Sequence, residues 1–573
     1  MPTKLCSWDC EPDEAVYSLY TIGNVNEVLP GITTPLYVDL ASWWDYYWTT
    51  GIAENLGVRD LITIKPPPFF NQLGFLGGRW TISISFNMAC TATWTVEGSN
   101  AMLSSFFEGG DSITAEASGD KARATAARAI ISEHWRGMEA LRATGDAESR
   151  ERYASSKTRR LDGLTDAELA GLIDDNTRAM GRLFETHYYV SVGGGEYAAG
   201  LGTLLGTHWP DYPAEWVTLL TSALRHVESA RPGKAIWDLS RLIAARPSLA
   251  AEVSGASADE VMARLAVPPN DDWVAFASAY RAFIEEFGWR GYRESDPATP
   301  TWDENPHFVV SAIKVDLAAP ASADPHAREE HAAVAREALE AKILAKVPAD
   351  AQSAVRDHLH LTQVLARERE AVKANWARCS RAYRPLAREL GRRWAARGIL
   401  AAAADIWFVR LAELQAVAAG QDDGVALKAA VVGRREEFTR LEGFTMPDGV
   451  FTWPAELVAL GGAVAPATPV MHGLAISSGI ARGRARVILT VNDETDIEPG
   501  EVLVAPVTDA PWTPLFIAAA AVIVEMGGVL SHSATVAREF GIPGVSGIKD
   551  ATRIIKTGQE VTVDGNTGTV TIH

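Results

Sequence analysis

Between residues 460 and 474 the chain changes its grammar, and that change limits the folds open to it more than any other feature. From about Ser112 to Leu460, Ala, Leu, Glu and Arg recur at helical spacing, most clearly in "AREEHAAVAREALEAKILAKV" (327–347) and "RAYRPLARELGRRWAARGILAAAADIWFVRLAELQAV" (381–417). After Gly473 the text becomes short β-rich runs, "GRARVILTV", "GEVLVAPV", "AAVIVEM" and "QEVTVDGNTGTVTIH", separated by glycine turns and brief helical pieces. The change of period marks a boundary between two differently built regions. The stretch between them, "GGAVAPATPVMHG" (461–473), is small, proline-bearing and reads as a linker. The expected fold class is therefore multidomain α + α/β, a large mainly α-helical domain followed by a small α/β domain over 474–573. The first 110 residues read as mixed α/β. "ITTPLYVDLASWWDYYW" shows turn signals among aromatic and β-branched residues, and "RWTISISFNMACTATWTV" (79–96) alternates like a strand pair.

Composition narrows the function classes. A chain of 573 residues exceeds one hydrophobic core, which agrees with several domains. Its 53 Lys+Arg against 72 Asp+Glu leave a net charge of −19, which repels nucleic acid and anionic membrane. Four cysteines are too few for a disulfide framework, and Cys6 and Cys10 have no second Cys/His pair at zinc spacing. No metal site is expected. The opening "MPTKLCSWDCEPDE" lacks the apolar run of a secretory signal. The run "LFIAAAAVIV" (515–524) is half the ~20 residues that a membrane span needs. The expectation is a soluble, cytoplasmic protein.

Chemistry concentrates in "EMGGVLSHSATVAREFGIPGV" (525–545). A strand should end at Gly527 and Gly528, and a helix should follow, capped by Ser531 or Ser533 and stopped by Gly541. His532 then stands at the helix N-terminus, where unpaired amides and the positive end of the dipole favour an anion and disfavour imidazolium. The two glycines let backbone N–H groups approach a ligand without an intervening Cβ. A neutral imidazole facing such a place is a nucleophile for phosphorus. Thr535 and Arg538, further along the helix, would add donors to a phosphoryl group. The plainer alternative is a helix-capping or buried structural histidine, which the strand, Gly-Gly, Ser-His, helix context outweighs. A second glycine run, "HYYVSVGGGEYAAG" (187–200), fits GxGxxA through Gly193, Gly195 and Ala198. No βαβ unit surrounds it, so it is read as a glycine-rich bend between helices.

The run "GGVLSHSATVAREFGIPGV" resembles the phosphohistidine signature of the swivelling domain of phosphoenolpyruvate-utilising enzymes. The similarity extends through "GLAISSGIARGRARVI" (473–488) and "VLVAPVTDAPWTPLF" (502–516), and so over the whole C-terminal domain. It implies that His532 carries a phosphoryl group, with Gly527, Gly528, Ser531, Thr535 and Arg538 around it. Elsewhere "GNVNEVLPGITTPL" (23–36), "FGWRGYRESDPATPTWDENP" (287–306) and the stretch from the "RERE" run to "DIWFVRLAEL" (367–414) look like the substrate-binding part of rifampin phosphotransferases. By that resemblance residues 1–460 form a substrate-binding domain.

Two familiar parts have no counterpart. No room for a phosphoenolpyruvate-binding barrel is expected after His532. Nothing resembles an ATP-grasp domain, and no GxxxxGK[ST] occurs, since "RPGKA" (231–235) lacks the leading glycine. The arrangement is similar to the split phenylphosphate and cresyl phosphate synthases. That likeness implies that Mg2+ and ATP are held by a separate ATP-grasp subunit and none firmly by this chain. The implied reaction is a double displacement: the partner phosphorylates His532 from ATP, leaving AMP and phosphate. The domain then swings on a linker able to span ~45 Å and offers the group to a small, phenolic hydroxyl. Arg290 and Glu294 in "RGYRE" are the implied charge stabiliser and base, with a helix-surface ion pair as the alternative. His187 and His307 rank below them. The 18 tryptophans fit a flat aromatic acceptor, or more simply a packed core. A competing reading is a phosphohistidine relay or regulatory protein that turns over no small molecule.

Overall fold

A computed structural model describes the chain apart from residues 1–4, 13–15, 24, 95–120, 214, 448, 453–454, 460–467, 492–496 and 530. Helices dominate up to residue 441, and an α/β region closes the chain, as the pattern requires. The chain forms two compact units. The first holds Met1–Glu196, Ser295–Ala298 and Ala371–Gly462; the second holds Tyr197–Glu294, Thr299–Glu370 and Ala463–His573. This division differs from the expected one at 461–473, because helices of the central region group with the α/β region.

In the first unit the aromatic run of residues 35–55 is a helix, Pro35–Asn55. Proline at its first turn costs no hydrogen bond and presets the backbone angle, and Trp44 and Trp48 are fully buried. The expected strand pair at 79–96 is corrected. Arg79–Ser83 is a strand, but Ile84–Thr91 is a helix, and residues 95–96 lie outside the described residues. Ser83 decides the outcome, since its hydroxyl accepts from the Phe86 N–H at 3.2 Å and caps the helix. The strand instead pairs with Leu73–Leu76 across Gly77 and Gly78, whose φ angles of 58° and 68° suit a tight hairpin turn. These strands belong to a four-stranded antiparallel sheet with Leu19–Thr21 and Val450–Thr452.

The glycine run is corrected too, for residues 166–208 form one continuous helix rather than two joined at the glycines. A Cβ on Gly193 would stand 2.4 Å from the Trp135 indole nitrogen, which itself donates to the Tyr189 carbonyl at 2.8 Å. Glycine is there to admit an indole. His187 lies in the same core, its ring 5.2 Å from Phe184 and 5.9 Å from Trp376. Trp44, Trp80, Phe184 and Trp376 pack edge-on or tilted around it, an aromatic core rather than an open cleft.

The second unit packs the helices Arg231–Ala244, Asp271–Phe287, His307–Ala318 and Pro325–Lys346 against the α/β region. That region is an eight-stranded sheet. Its order is Val470–His472, Thr569–Ile572, Glu560–Asp564, Ile480–Val487, Val502–Ala505, Ala521–Val524, Gly544–Ser546, Leu474–Ser477. Four neighbours from Ile480–Val487 to Gly544–Ser546 run parallel, and the two central ones, VLVA and AVIV, are buried at every position. Parallel strands covered on both faces need such continuous apolar runs. Of the expected linker, 461–467 lie outside the described residues, while Val470–His472 is already a strand of the sheet. Gly473 donates to the Gly568 carbonyl at 2.8 Å.

Leu515, Phe516 and Ile517, in the short helix Thr513–Ala518, join one buried cluster with Ile236, Phe308 and Ile313 of the helices. Burying side chains of this size contributes about 1.5–3 kcal/mol each. The α/β region is therefore seated on the helices of its own unit.

Candidate functional site

The expected strand and helix are both present. Ala521–Val524 is a strand, and His532–Glu539 is a helix followed by Gly541 at φ 62°. Between them Gly527 adopts φ 138°, and a Cβ there would stand 2.9 Å from the Ser531 hydroxyl. The turn is pinned at both ends: the Ser546 hydroxyl donates to the Gly527 carbonyl at 2.6 Å, and the Ser531 N–H donates to the Gly528 carbonyl at 3.0 Å. Ser531 is the helix cap, its hydroxyl accepting from the Ala534 N–H at 3.2 Å and lying 2.9 Å from the Ser533 hydroxyl. His532 is thus the first helical residue, as read from the sequence.

Its surroundings differ from that reading. The imidazole is enclosed, 1% exposed, because the α/β region is seated on the helices. Phe516 meets the ring edge-on with centroids 6.2 Å apart. Across from it, Glu370 Oε2 is 3.8 Å from His532 Nδ1. Glu370 lies on the helix Gln352–Arg381, is itself buried, and its other oxygen accepts from Arg369 Nη1 at 3.0 Å. Sequence reasoning touched Glu370 only as part of the "RERE" run and gave it no role. No local pattern marks it, since the histidine it faces is 162 positions further on.

The remaining expected site residues divide. His532, Ser531, Gly527 and Gly528 share one turn. Thr535 is half-buried on the next turn, its N–H donating to the Ser531 carbonyl at 3.0 Å. Arg538 is corrected from an expected phosphoryl donor: its Nε donates to the Ile476 carbonyl at 2.8 Å, which ties the helix to the edge strand Leu474–Ser477. Burial brings its pKa down to about 10.

Arg290 and Glu294 do pair, Nη1 donating to Oε2 at 2.7 Å, but in a buried turn after the helix Asp271–Phe287 rather than on a helix surface. Arg290 Nη2 also donates to Glu228 at 3.1 Å, Arg231 donates to the other oxygen of Glu228 at 2.6 Å, and the Arg290 guanidinium lies 4.4 Å from the Trp289 ring centre. The structure sets this pair in a network with Glu228 and Arg231. His307 is partly exposed and lies 2.8 Å from both Asp259 and Asn305.

Cys6 donates to Asp9 at 2.8 Å and Cys10 lies 3.2 Å from the Ser42 hydroxyl; burial raises both thiol pKa values, that of Cys10 to about 12. Among the described residues no group of three or more His, Cys, Asp or Glu is placed to hold a metal ion. Among them, too, no helix is long and apolar enough to cross a membrane.

Comparison with known proteins gives two family matches. Residues 187–372 match the fourth domain of rifampicin phosphotransferase, and residues 497–568 match the mobile domain of PEP-utilising enzymes. Three relatives illustrate the range. The prodigiosin synthesizing transferase PigC of Serratia marcescens is 31% identical over 59% of this chain and 38% of its own. Rifampicin phosphotransferase of Streptomyces sviceus is 28% identical over 68% of this chain and 46% of its own. Rifampicin phosphotransferase of Bacillus subtilis is 40% identical over a shorter match, 24% of this chain and 16% of its own. The chain spans less than half the length of each of these relatives.

Proposed function

We infer a function from the premise that the chain is a member of the phosphoenolpyruvate-utilising enzyme family, joining a rifampicin phosphotransferase-type helical region to the family's mobile domain. The family supports a phosphotransferase. The finer reading is that His532 accepts a phosphoryl group and passes it to a hydroxyl of a small, phenolic molecule. One observation carries it: a histidine heading a capped helix behind a glycine turn, its Nδ1 3.8 Å from the buried carboxylate Glu370.

Each residue then has a task. The negative charge of Glu370, 3.8 Å from Nδ1, favours the proton on that nitrogen, which leaves Nε2 to form the P–N bond. The Ser531 cap and the Gly527–Gly528 turn leave helix amides directed at phosphoryl oxygens. In the second step the acceptor oxygen attacks phosphorus, the P–N bond breaks and its electron pair returns to Nε2. The hydroxyl proton passes to Glu370 or to the departing imidazole, a transfer that is easy for a phenol with pKa near 10. An enclosed ring keeps water away from the P–N bond. Arg290 and Glu294 are read as a structural pair, because each is already hydrogen-bonded inside a buried network. Mg2+ and ATP are assigned to an ATP-grasp subunit on a separate chain, and no residue of this chain is assigned to them.

The test incubates ATP labelled at the β-phosphate with a candidate ATP-grasp subunit and either wild-type protein or His532→Ala. Acid-labile, base-stable label is expected on the wild type and absent from His532→Ala. Adding a phenol should discharge it into a phosphate monoester. Label on the alanine variant refutes the carrier; label that survives every hydroxyl compound refutes the transferase and leaves a relay.

A further inference from the structure

The α/β region is held on its helices by one contact whose chemistry invites a change with pH. Glu539, the last residue of the His532 helix, is buried, and its Oε1 accepts from the Leu224 N–H at 2.9 Å. Glu329 of the helix Pro325–Lys346, whose charge bears on Glu539, pairs with Lys234 of the helix Arg231–Ala244. The other Glu539 oxygen, Oε2, is buried with no hydrogen-bond partner among the described residues, and the nearby ammonium is taken by Glu329. A buried carboxyl placed so, beside a second carboxylate, holds its proton.

The segment supplying the Leu224 amide is built to hold that amide in place. Ala223, Arg225 and His226 have φ of 46°, 54° and 59°, a left-handed conformation that side-chain-bearing residues adopt only when their surroundings impose it. The surroundings here are explicit. Arg336 donates from Nε to the Ser222 carbonyl at 3.1 Å and from Nη2 to the Ala223 carbonyl at 3.4 Å. Arg225 is paired with Glu330 and Glu337, and Gln363 donates to the Leu220 carbonyl at 3.0 Å. Further along, the Ser229 carbonyl accepts from the Thr513 hydroxyl at 2.8 Å, and Arg328 donates to the Ile517 carbonyl at 3.2 Å.

We propose that Glu539, set beside the Glu329–Lys234 pair, is a proton-dependent catch: it seats the His532 helix on the strained 221–229 segment and loosens when Glu539 loses its proton. Its sign follows from the groups that face Glu539, namely Glu329 and Lys234 across the junction and Arg538 beside it. Burial first, and the negative charge of Glu329 with it, push the Glu539 pKa up to about 8, against an ordinary value of 4.5 once the contact opens. Seating therefore takes up a proton. Its stabilisation is complete below the ordinary value and falls as pH rises towards about 8, the seating constant dropping up to tenfold per pH unit in that window. None of this depends on what His532 carries.

The experiment is hydrogen exchange on the full chain at pH 6, 7, 8 and 9, corrected for intrinsic rates, with no nucleotide or acceptor present. Peptides over 222–230, 513–518 and 532–539 should lose protection together as pH rises, while Pro35–Asn55 keeps its own. Glu539→Gln retains an acceptor for Leu224, offers an amide N–H to Glu329 and cannot ionise, so its protection should persist to pH 9. If that variant folds poorly, Glu539→Ala cannot ionise either, and whatever protection it retains should not change from pH 6 to 9. Wild-type protection unchanged from pH 6 to 9, or a folded variant that follows the wild-type profile, overturns the proposal.

Discussion

The turn at Arg290 and the turn at His532 both bury ionisable side chains beside a helix end, and they differ in how tightly those groups are held. Around Arg290 every charge has a close partner: Glu294 at 2.7 Å, Glu228 at 3.1 Å, and Arg231 on the far oxygen of Glu228 at 2.6 Å. A guanidinium fork clamped by two carboxylates is rigid and has little left to offer a substrate. At His532 the facing carboxylate stands 3.8 Å from the ring nitrogen, outside hydrogen-bond length, with glycines and a serine cap on the other side. Burial and charge are common to both places, so geometry separates the clamped pair at Arg290 from the proposed carrier at His532.

Three substitutions put that contrast at risk. Glu370→Gln keeps the shape and removes the carboxylate proposed to take the proton, so transfer from phosphorylated protein to a phenol should slow by about 10²–10⁴-fold with thermal stability nearly unchanged, read by single-turnover discharge of label. A large fall in melting temperature instead would make Glu370 a brace like Arg290. Arg290→Ala should do the reverse, leaving the buried Glu294 without its cation and Glu228 with Arg231 alone, and costing about 3–5 kcal/mol, read by denaturant titration. Unchanged stability with lost transfer would return Arg290 to the chemistry. Ser531→Ala is the smallest, about 1 kcal/mol from the lost cap, with the histidine still able to take label. Complete loss of label there would mean that the hydroxyl touches the phosphoryl group.

What was legible in the residues was local. A cap at Ser531 or Ser533, of which the structure uses Ser531, Gly541 as stop and "AVIV" as a buried strand each follow from chemistry within a few positions. The failures have the same root. The 79–96 alternation looked like two strands because a serine cap in its middle counts for more than period-two spacing. Gly193 looked like a bend because nothing nearby announces Trp135, 58 positions earlier, as the group needing its space. Arg538 looked like a phosphate ligand because its strand partner, Ile476, is brought to it only by folding. Glu370, facing His532 from a distant helix, could not be found from spacing at all.

Phe516 and its two apolar neighbours give the seated arrangement a consequence of its own. Detached, three large hydrocarbon side chains would meet water at once, a penalty on the order of several kcal/mol. For the proposed transfer, free drifting on a tether is thus a poor description of the region's movement. On that reading each departure is matched by arrival at another apolar landing place, so a protein that loads the histidine should present a surface shaped to receive the same three residues.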